Sequence, residues 1–459
     1  MLLTIFVAAR WSLAKALLWV YLPILLWVPL YMHVSFHGFF IDCATLAGTA
    51  LGLMALAGGL RHWRFSVTDV LVVLLAFSSF WADAHHRPML LGFYALATTI
   101  CSMVFPYVIG KSLIEQTRSR ESVAKLLVIS LAIIGFVSLY EFRMTSNPFQ
   151  LAAEALSHMK SGWGRQRRWI FARVAGPFGH AITAGMMFTI GVLLEIWLIV
   201  TKRWRVGASR FSGSQGKLVR NAKIITCLVL LGLFETQSRG PWIGCGLGLI
   251  IAWVGFSRDR KRSATIAGVL LAITISTGYV VLNRYTDYET KSVDELKDMT
   301  QDQQNAVYRR ELLTTYKPVI KKGGIWGWGY PLPPGEELGL DVFALRQPSI
   351  DNEYLLMAVV QGYAGATILI LLFVTTMLAL VKHCLAFRRR VDITFAYVML
   401  GIMVATAFSL TTVFLSPPMM QVLFLLIGWA QSLKPTASDE APEQQLSVAS
   451  QYAFEKVYS

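Results

Sequence analysis

Residues 353–381 read EYLLMAVVQGYAGATILILLFVTTMLALV, an apolar run whose only charge is the glutamate at its first position. At about 1.5 Å per helical residue, such a run is long enough to cross a hydrocarbon core about 30 Å thick. Eleven more apolar runs accompany it: Leu13 to Met32, Phe39 to Leu60, Val67 to Trp81, Leu90 to Gly110, Val123 to Tyr140, Ala181 to Val200, Ala222 to Glu235, Trp242 to Phe256, Ala264 to Leu282, Ile393 to Val413 and Met419 to Leu433. Of 459 residues, 55% are hydrophobic and only 15% charged, more apolar surface than a soluble core hides. The expected fold is therefore all-α: a polytopic helical membrane protein with about 12 transmembrane helices and a large outer loop between helices 9 and 10. Several runs are short for a bilayer, which points to buried or irregular helix ends.

Lys and Arg set the expected orientation, because basic loops stay in the cytoplasm. Alternate connections on one side hold Arg61 and Arg64; Lys111, Arg118 and Arg120; Lys202 through Lys223; Arg258 through Arg262; and Lys382 through Arg390. Short loops on the other side hold only Arg87 and Arg239. Both termini are then cytoplasmic. Residues 1–282 form nine spans with an outer loop near 142–180, residues 283–352 a large outer loop, residues 353–433 three spans, and residues 434–459 a polar, disordered cytoplasmic tail. The net charge of +15 is a topological signal rather than a nucleic-acid footprint. The first run lacks a small-residue cleavage site after it and is expected to be retained. Cys43, Cys101, Cys227, Cys245 and Cys384 fall in or beside spans, and the histidines are scattered, so neither a disulfide framework nor a metal site is expected.

The polar segment Asn283 to Asn352 is far longer than the few residues that join neighbouring helices, so it is expected to carry chemistry. Within it, Ser292-Val293-Asp294-Glu295 matches a capping box. A second amphipathic pattern places Tyr308, Leu312, Tyr316 and Val319 at helical spacing, with Arg309 expected on the face of Leu312, Leu313 and Tyr316 and Arg310 about 100° round the helix. Gly323-Gly-Ile-Trp-Gly-Trp-Gly-Tyr-Pro331 offers turns and flat aromatic faces, Trp326 and Trp328, which suit either a sugar ring or a membrane interface. Ser349-Ile-Asp-Asn-Glu-Tyr354 opens the tenth run, where Asp351 or Asn352 serves as helix cap and Asp351 as a candidate general base. Thr236-Gln-Ser-Arg-Gly-Pro241 joins two spans: Ser238 is expected to cap the second, setting Arg239 beside a helix N-terminus suited to anions. The basic stretch Lys160 to Arg173, on the side otherwise poor in cations, suits a polyanion or lipid headgroups and leads into Arg173-Val-Ala-Gly-Pro-Phe-Gly-His180.

In this order, from about Arg173 to Gly365, the segments resemble the O-antigen ligase and Wzy-type O-antigen polymerase superfamily. Arg173-Val-Ala-Gly-Pro-Phe is similar to its Arg-x-x-Gly-x-Phe motif, Ser238-Arg-Gly240 to its Ser-Arg-Gly signature, and Arg309 followed by Gly327-Trp-Gly329 to its Arg then Gly-x-Gly. Asp351-Asn-Glu-Tyr-Leu355 with Gly362-Tyr-Ala-Gly365 is similar to its His-Asn-x-x-Leu and Gly-x-x-Gly. One position departs: family ligases carry histidine where this chain has Asp351, which makes polymerization or another glycan transfer at least as plausible as ligation to lipid A-core.

The resemblance implies an inverting glycosyltransferase of the bacterial inner membrane, acting without metal or cofactor on undecaprenyl-diphosphate-linked glycan at the periplasmic face. The acceptor is a glycan or lipid A-core, and a chain-length regulator is a candidate partner. Catalytic roles fall to Asp351, Arg239 and Arg309, and substrate binding to Arg173, Arg310, Ser238, Asn352, Trp326 and Trp328. The alternatives are a transporter or flippase of lipid-linked glycan, disfavoured by the scarcity of ionisable residues in mid-span, and a glycan-binding scaffold without chemistry.

Overall fold

Each of the twelve apolar runs contains a helix. The structure, a computed structural model, describes residues 1–29, 32–36, 39–59, 63–157, 167, 168, 170–205, 215–286, 301–333, 338 and 350–434. The helices are α1 (Leu2–Arg10), α2 (Leu13–Trp27), α3 (Cys43–Gly59), α4 (Val67–His86), α5 (Met89–Ser112), α6 (Arg120–Met144), α7 (Pro148–Ser157), α8 (Ala181–Val200), α9 (Gln215–Glu235), α10 (Arg239–Phe256), α11 (Arg260–Thr286), α12 (Gln301–Gly323), α13 (Glu353–Val360), α14 (Gly362–Ala386), α15 (Arg390–Ser409) and α16 (Pro417–Ser432). Among the described residues, α4, α5, α6, α8, α10, α14 and α15 are long and apolar enough to cross a membrane, and α2 and Cys43–Gly58 are shorter apolar helices. Two short hairpins, His33–Phe36 with Phe39–Asp42 and Arg167–Arg168 with Phe171–Ala172, and single 3₁₀ turns at Gly176–Phe178 and Arg203–Arg205 accompany the helices. The chain is an all-α polytopic membrane protein.

Small residues let the helices approach. Gly248 of α10 faces Gly401 of α15, and a Cβ on either would meet the other's backbone. Gly110 of α5 and Gly428 of α16 likewise lie against the backbones of Leu425 and Tyr107. Between helices in lipid there is little hydrophobic drive, so such close packing supplies the attraction.

The connections separate into two ends. At one end, Arg120 bonds Glu115 and Asp392, each at 2.6 Å, and the Lys434 carbonyl, while Lys111 lies 2.6 Å from Asp69. These residues come from the loops that the basic-residue pattern assigns to a single side. The other end gathers the C-termini of α6, α9 and α15 with the N-termini of α8, α10 and α13.

The tenth run is not one helix, as its continuous apolar sequence suggests. It breaks at Gln361–Gly362, where Gly362 takes a positive φ of 66°. The break is filled by the glycine-tryptophan run. The Trp328 and Gly329 N–H groups donate to the Val359 and Val360 carbonyls (3.0 and 2.9 Å), and those of Tyr363 and Ala364 donate to the Gly324 and Ile325 carbonyls (3.1 and 3.0 Å). Backbone groups orphaned by an interrupted helix must find partners, and here this strap supplies them. Gly327 and Gly362 permit the approach, since a side chain at either would run into the opposite backbone.

Two expectations for the polar segment change. α11 continues to Thr286, past Leu282, and the Ser292–Glu295 capping box lies outside the described residues. On α12 the buried stripe is Leu312, Tyr316, Val319 and Ile320, packed with Ile350, Leu355 and Val359. Leu313 is 66% exposed, because a residue one step from Leu312 turns about 100° away from that face.

Candidate functional site

The turn between α9 and α10 is the base of the site. Gln237 adopts a left-handed φ of 48°, which lets α9 stop at Glu235 and α10 begin at Arg239 almost without a loop. Residues 235–238 are buried, whereas Arg239 is exposed. Ser238 holds the N-cap position, but its hydroxyl does not cap. It donates to the Thr236 carbonyl (3.1 Å) and accepts from Arg173 Nη2 (3.0 Å). This corrects the expected cap: the compact turn puts a carbonyl and a guanidinium nearer the hydroxyl than the helical N–H groups. With Pro241 lacking an N–H, the N–H groups of Arg239 and Gly240 mark the positive end of α10.

Arg173 is fixed from both sides. Its Nε reaches the Thr236 carbonyl (3.4 Å), and the next residue, Val174, donates its N–H to the Glu235 carbonyl (3.2 Å). Behind it, the Glu141 carboxylate at the end of α6 accepts the Ala175 and Gly176 N–H groups (3.1 and 2.9 Å), and Asn147 Nδ2 donates to the Gly176 carbonyl (2.8 Å). Arg168, in the two-residue strand, donates from Nη1 to the Gln237 carbonyl at 2.6 Å. Two cations thus converge on one turn. Of the preceding basic stretch, Lys160 to Arg165 lies outside the described residues.

Asn352 caps α13: its Oδ1 accepts the Leu355 N–H at 3.1 Å. Asp351, half-buried, therefore carries a carboxylate that the cap does not require. Glu353 anchors the next element. Its N–H donates to the Leu410 and Val413 carbonyls (2.9 and 3.1 Å), and its carboxylate Oε2 accepts the Leu415 N–H (2.6 Å). The loop thus held, residues 410–416, places Thr412 against Gly240 and Ser416 Oγ 3.1 Å from Thr183 Oγ1, so α8, α10, α13 and α15 meet here.

His180 sits among them as the N-cap of α8, its Nδ1 accepting the Ile182 N–H at 3.2 Å. Its ring lies 6.3 Å from that of Phe414. Burial and then the Arg173 charge hold its pKa down to about 4 against the opposing Asp351 carboxylate, so the ring is neutral at pH 7. The loop that Glu353 holds lies against Gly240, which brings the start of α13 to the α9–α10 turn that Arg173 binds.

Of the expected residues, the structure brings together Arg173, Ser238, Asp351 and Asn352, with Arg239 at the edge of the same turn. Arg309 and Arg310 fall on α12, and their side chains lie outside the described residues. Trp328 is used by the fold: its Nε1 donates to the Val319 carbonyl (3.0 Å) and its ring stacks on His86 at 5.7 Å. Trp326 packs edge-on against Phe77 and Trp81 of α4, with centroids 6.4 and 6.0 Å away. Among the described residues, no group of three or more His, Cys, Asp or Glu could hold a metal ion. Sequence reasoning missed Glu141, Glu353, the 410–416 loop and the role of His180. A signal existed in the two glutamates, each an acid at the end of an apolar run.

The N-termini of α8, α10 and α13, two half-buried arginines, Arg168 and Arg173, and the Asp351 carboxylate lie at this end of the bundle. No curated protein matches the chain. A family model described as O-antigen ligase (Wzy_C) matches residues 224–370, from within α9 into α14, and so spans Ser238, Arg239, Arg309, Asp351 and both glycine motifs of the strap and the broken helix. Over that segment the chain is similar to the O-antigen ligase family.

Proposed function

We propose that this protein is an inverting glycosyltransferase that transfers or polymerises undecaprenyl-diphosphate-linked glycan at the periplasmic face of the bacterial inner membrane, with both termini in the cytoplasm. One observation carries the reading: Asn352, not Asp351, caps α13, and the loop that Glu353 holds sets the start of α13 against the α9–α10 turn that Arg173 binds. Nucleotide sugars are not available on that face, so a lipid-linked donor is the fitting substrate class.

In this reading the Asp351 carboxylate takes the proton of an acceptor hydroxyl. The hydroxyl oxygen bonds to the anomeric carbon on the face opposite the phosphate, and the carbon–oxygen bond to phosphate breaks. Undecaprenyl diphosphate leaves with the bonding pair. Arg173 and Arg239, with Arg309 as the third cation, compensate its charge, and each charge-assisted hydrogen bond contributes about 1.5–3 kcal/mol. The outward N-terminus of α10 adds positive potential.

The test incubates purified protein with a labelled lipid-linked repeat. A ladder of products indicates a polymerase; a single shift that requires added lipid A-core indicates a ligase. Asp351→Asn and Arg239→Lys, confirmed folded, are expected to lose most of the rate. Wild-type rates in both, or uptake of the lipid-linked glycan into proteoliposomes without any covalent product, would overturn the assignment.

A further inference from the structure

α13 is only 8 residues long, so whatever holds its C-terminal end also sets its start, where Asn352 caps and Asp351 precedes the cap. The start is held by Glu353 on the 410–416 loop. The C-terminal end is held by the strap, through the Val359 and Val360 carbonyls. The strap in turn is fastened to the end of α4. His86 Nε2 lies 2.8 Å from the Gly327 carbonyl, which can only accept, so the ring donates there. The Tyr330 N–H donates to Asp83 Oδ1 at 2.7 Å, and Arg87 Nη2 donates to the Pro331 carbonyl. Gly329 lies so close to Asp83 that a Cβ would collide with the carboxylate. Trp328 joins three elements: its N–H bonds α13, its indole Nε1 bonds the Val319 carbonyl of α12, and its ring stacks on His86 of α4.

We propose that Asp83 and His86 are positioning residues for the reaction: from α4 they hold the strap, and through it the placement of α13 that sets Asp351 toward the acceptor hydroxyl. The proposal rests on Asp351 being the base. A short helix pinned at both ends has one place for its first residues; released at one end, it pivots about the other. A misplacement of about 1 Å costs roughly 10²-fold in rate. Arg168 and Arg173 are anchored on the α9–α10 turn without the strap, so the loss falls on kcat rather than on KM for the donor.

Conservative and disruptive variants at each position separate positioning from bulk stability. His86→Gln keeps an amide Nε2 donor, whereas His86→Phe keeps a ring on Trp328 but no donor. Asp83→Asn keeps an acceptor oxygen for the Tyr330 N–H, and Asp83→Ala removes it. Each full-length variant is checked for folding and assayed with the labelled lipid-linked repeat, and hydrogen exchange of a peptide spanning 324–332 is followed by mass spectrometry. In His86→Phe and Asp83→Ala, kcat is expected to fall about tenfold or more with KM for the donor within about twofold, and the strap to exchange about tenfold faster. His86→Gln and Asp83→Asn are expected to restore both. The two positions are read independently, so that if one disruptive variant fails to fold the other decides. Wild-type kcat in the folded disruptive variants overturns the proposal, whatever the exchange. So does a rise in KM at unchanged kcat, or a fall in kcat that the conservative variants do not restore. If Asp351→Asn is itself fully active, the failure lies with the base assignment; if Asp351→Asn is dead and the α4 variants are normal, it lies with Asp83 and His86.

Discussion

Replacing Gly362 with alanine tests whether the strap and the broken helix are one structural unit. Four backbone hydrogen bonds join them, from Trp328, Gly329, Tyr363 and Ala364, and at about 1 kcal/mol net each they contribute about 4 kcal/mol. Alanine adds strain of about 1–2 kcal/mol, because Gly362 sits at φ 66° in the left-handed region. Its Cβ also falls on the Ile325 carbonyl, so strap and helix cannot both keep their places. A loss of about 5 kcal/mol, at roughly 2 °C per kcal/mol, lowers the thermal midpoint in detergent by about 10 °C. Intrinsic tryptophan fluorescence reads it, since Trp326 and Trp328 lie on the strap itself. Gly246→Ala is the control: a Cβ there meets no atom within 4 Å, and helix propensity makes the change neutral or stabilising. A Gly362→Ala midpoint within about 2 °C of this control would refute the argument that the glycines are required by backbone contact.

Other outcomes follow from the site's geometry. Ser238→Ala removes the hydroxyl that accepts from Arg173 but no helix cap, so KM for the lipid-linked donor is expected to rise about tenfold with little change in thermal midpoint; a large stability loss would show that Ser238 caps after all. Glu141→Ala leaves the Ala175 and Gly176 N–H groups without their carboxylate and is expected to destabilise by about 2–4 kcal/mol while weakening donor binding, checked by thermal unfolding and KM. Asn352→Ala is expected to cost about 1 kcal/mol of stability and Asn352→Ser almost none, a comparison that confirms or rejects the assignment of the cap. His180 makes stability depend on pH. Its folded pKa of about 4 lies below its ordinary value, so the stability it contributes is whole above about pH 6.5 and is lost as pH falls from there through 4. The midpoint of the wild-type protein is expected to fall over that window more steeply than that of His180→Asn.

Residue types and their spacing made the membrane fold legible. Apolar runs placed a helix at each of twelve positions, because a chain in lipid must satisfy its backbone internally and helices do so locally. The grouping of loops at two ends was legible too, since Arg120, Asp392 and Lys434 meet where alternate threading puts them. Arg173, Ser238, Asp351 and Asn352 stood out as motif residues before any contact was known. The break in the tenth run was not legible: Gln361-Gly362 sits inside an unbroken hydrophobic pattern, and only a strap more than 30 residues earlier makes the interruption tolerable.

The roles within the site depended on distance in the same way. Ser238 reads as a cap in sequence, and only the approach of Arg173, 65 residues away, turns its hydroxyl to another use. Asp351 and Asn352 were equal candidates for the cap until the geometry of α13 gave it to Asn352. His180 was one scattered histidine until the start of α8 gave its Nδ1 a cap to make and set its ring beside Phe414. The sequence by itself determined an all-α membrane bundle, because hydrophobicity and helical hydrogen bonding act over a few neighbouring residues. Only the tertiary structure decided which polar group caps, which orients and which remains for chemistry, because those choices turn on hydrogen-bond partners that the chain brings together from distant positions.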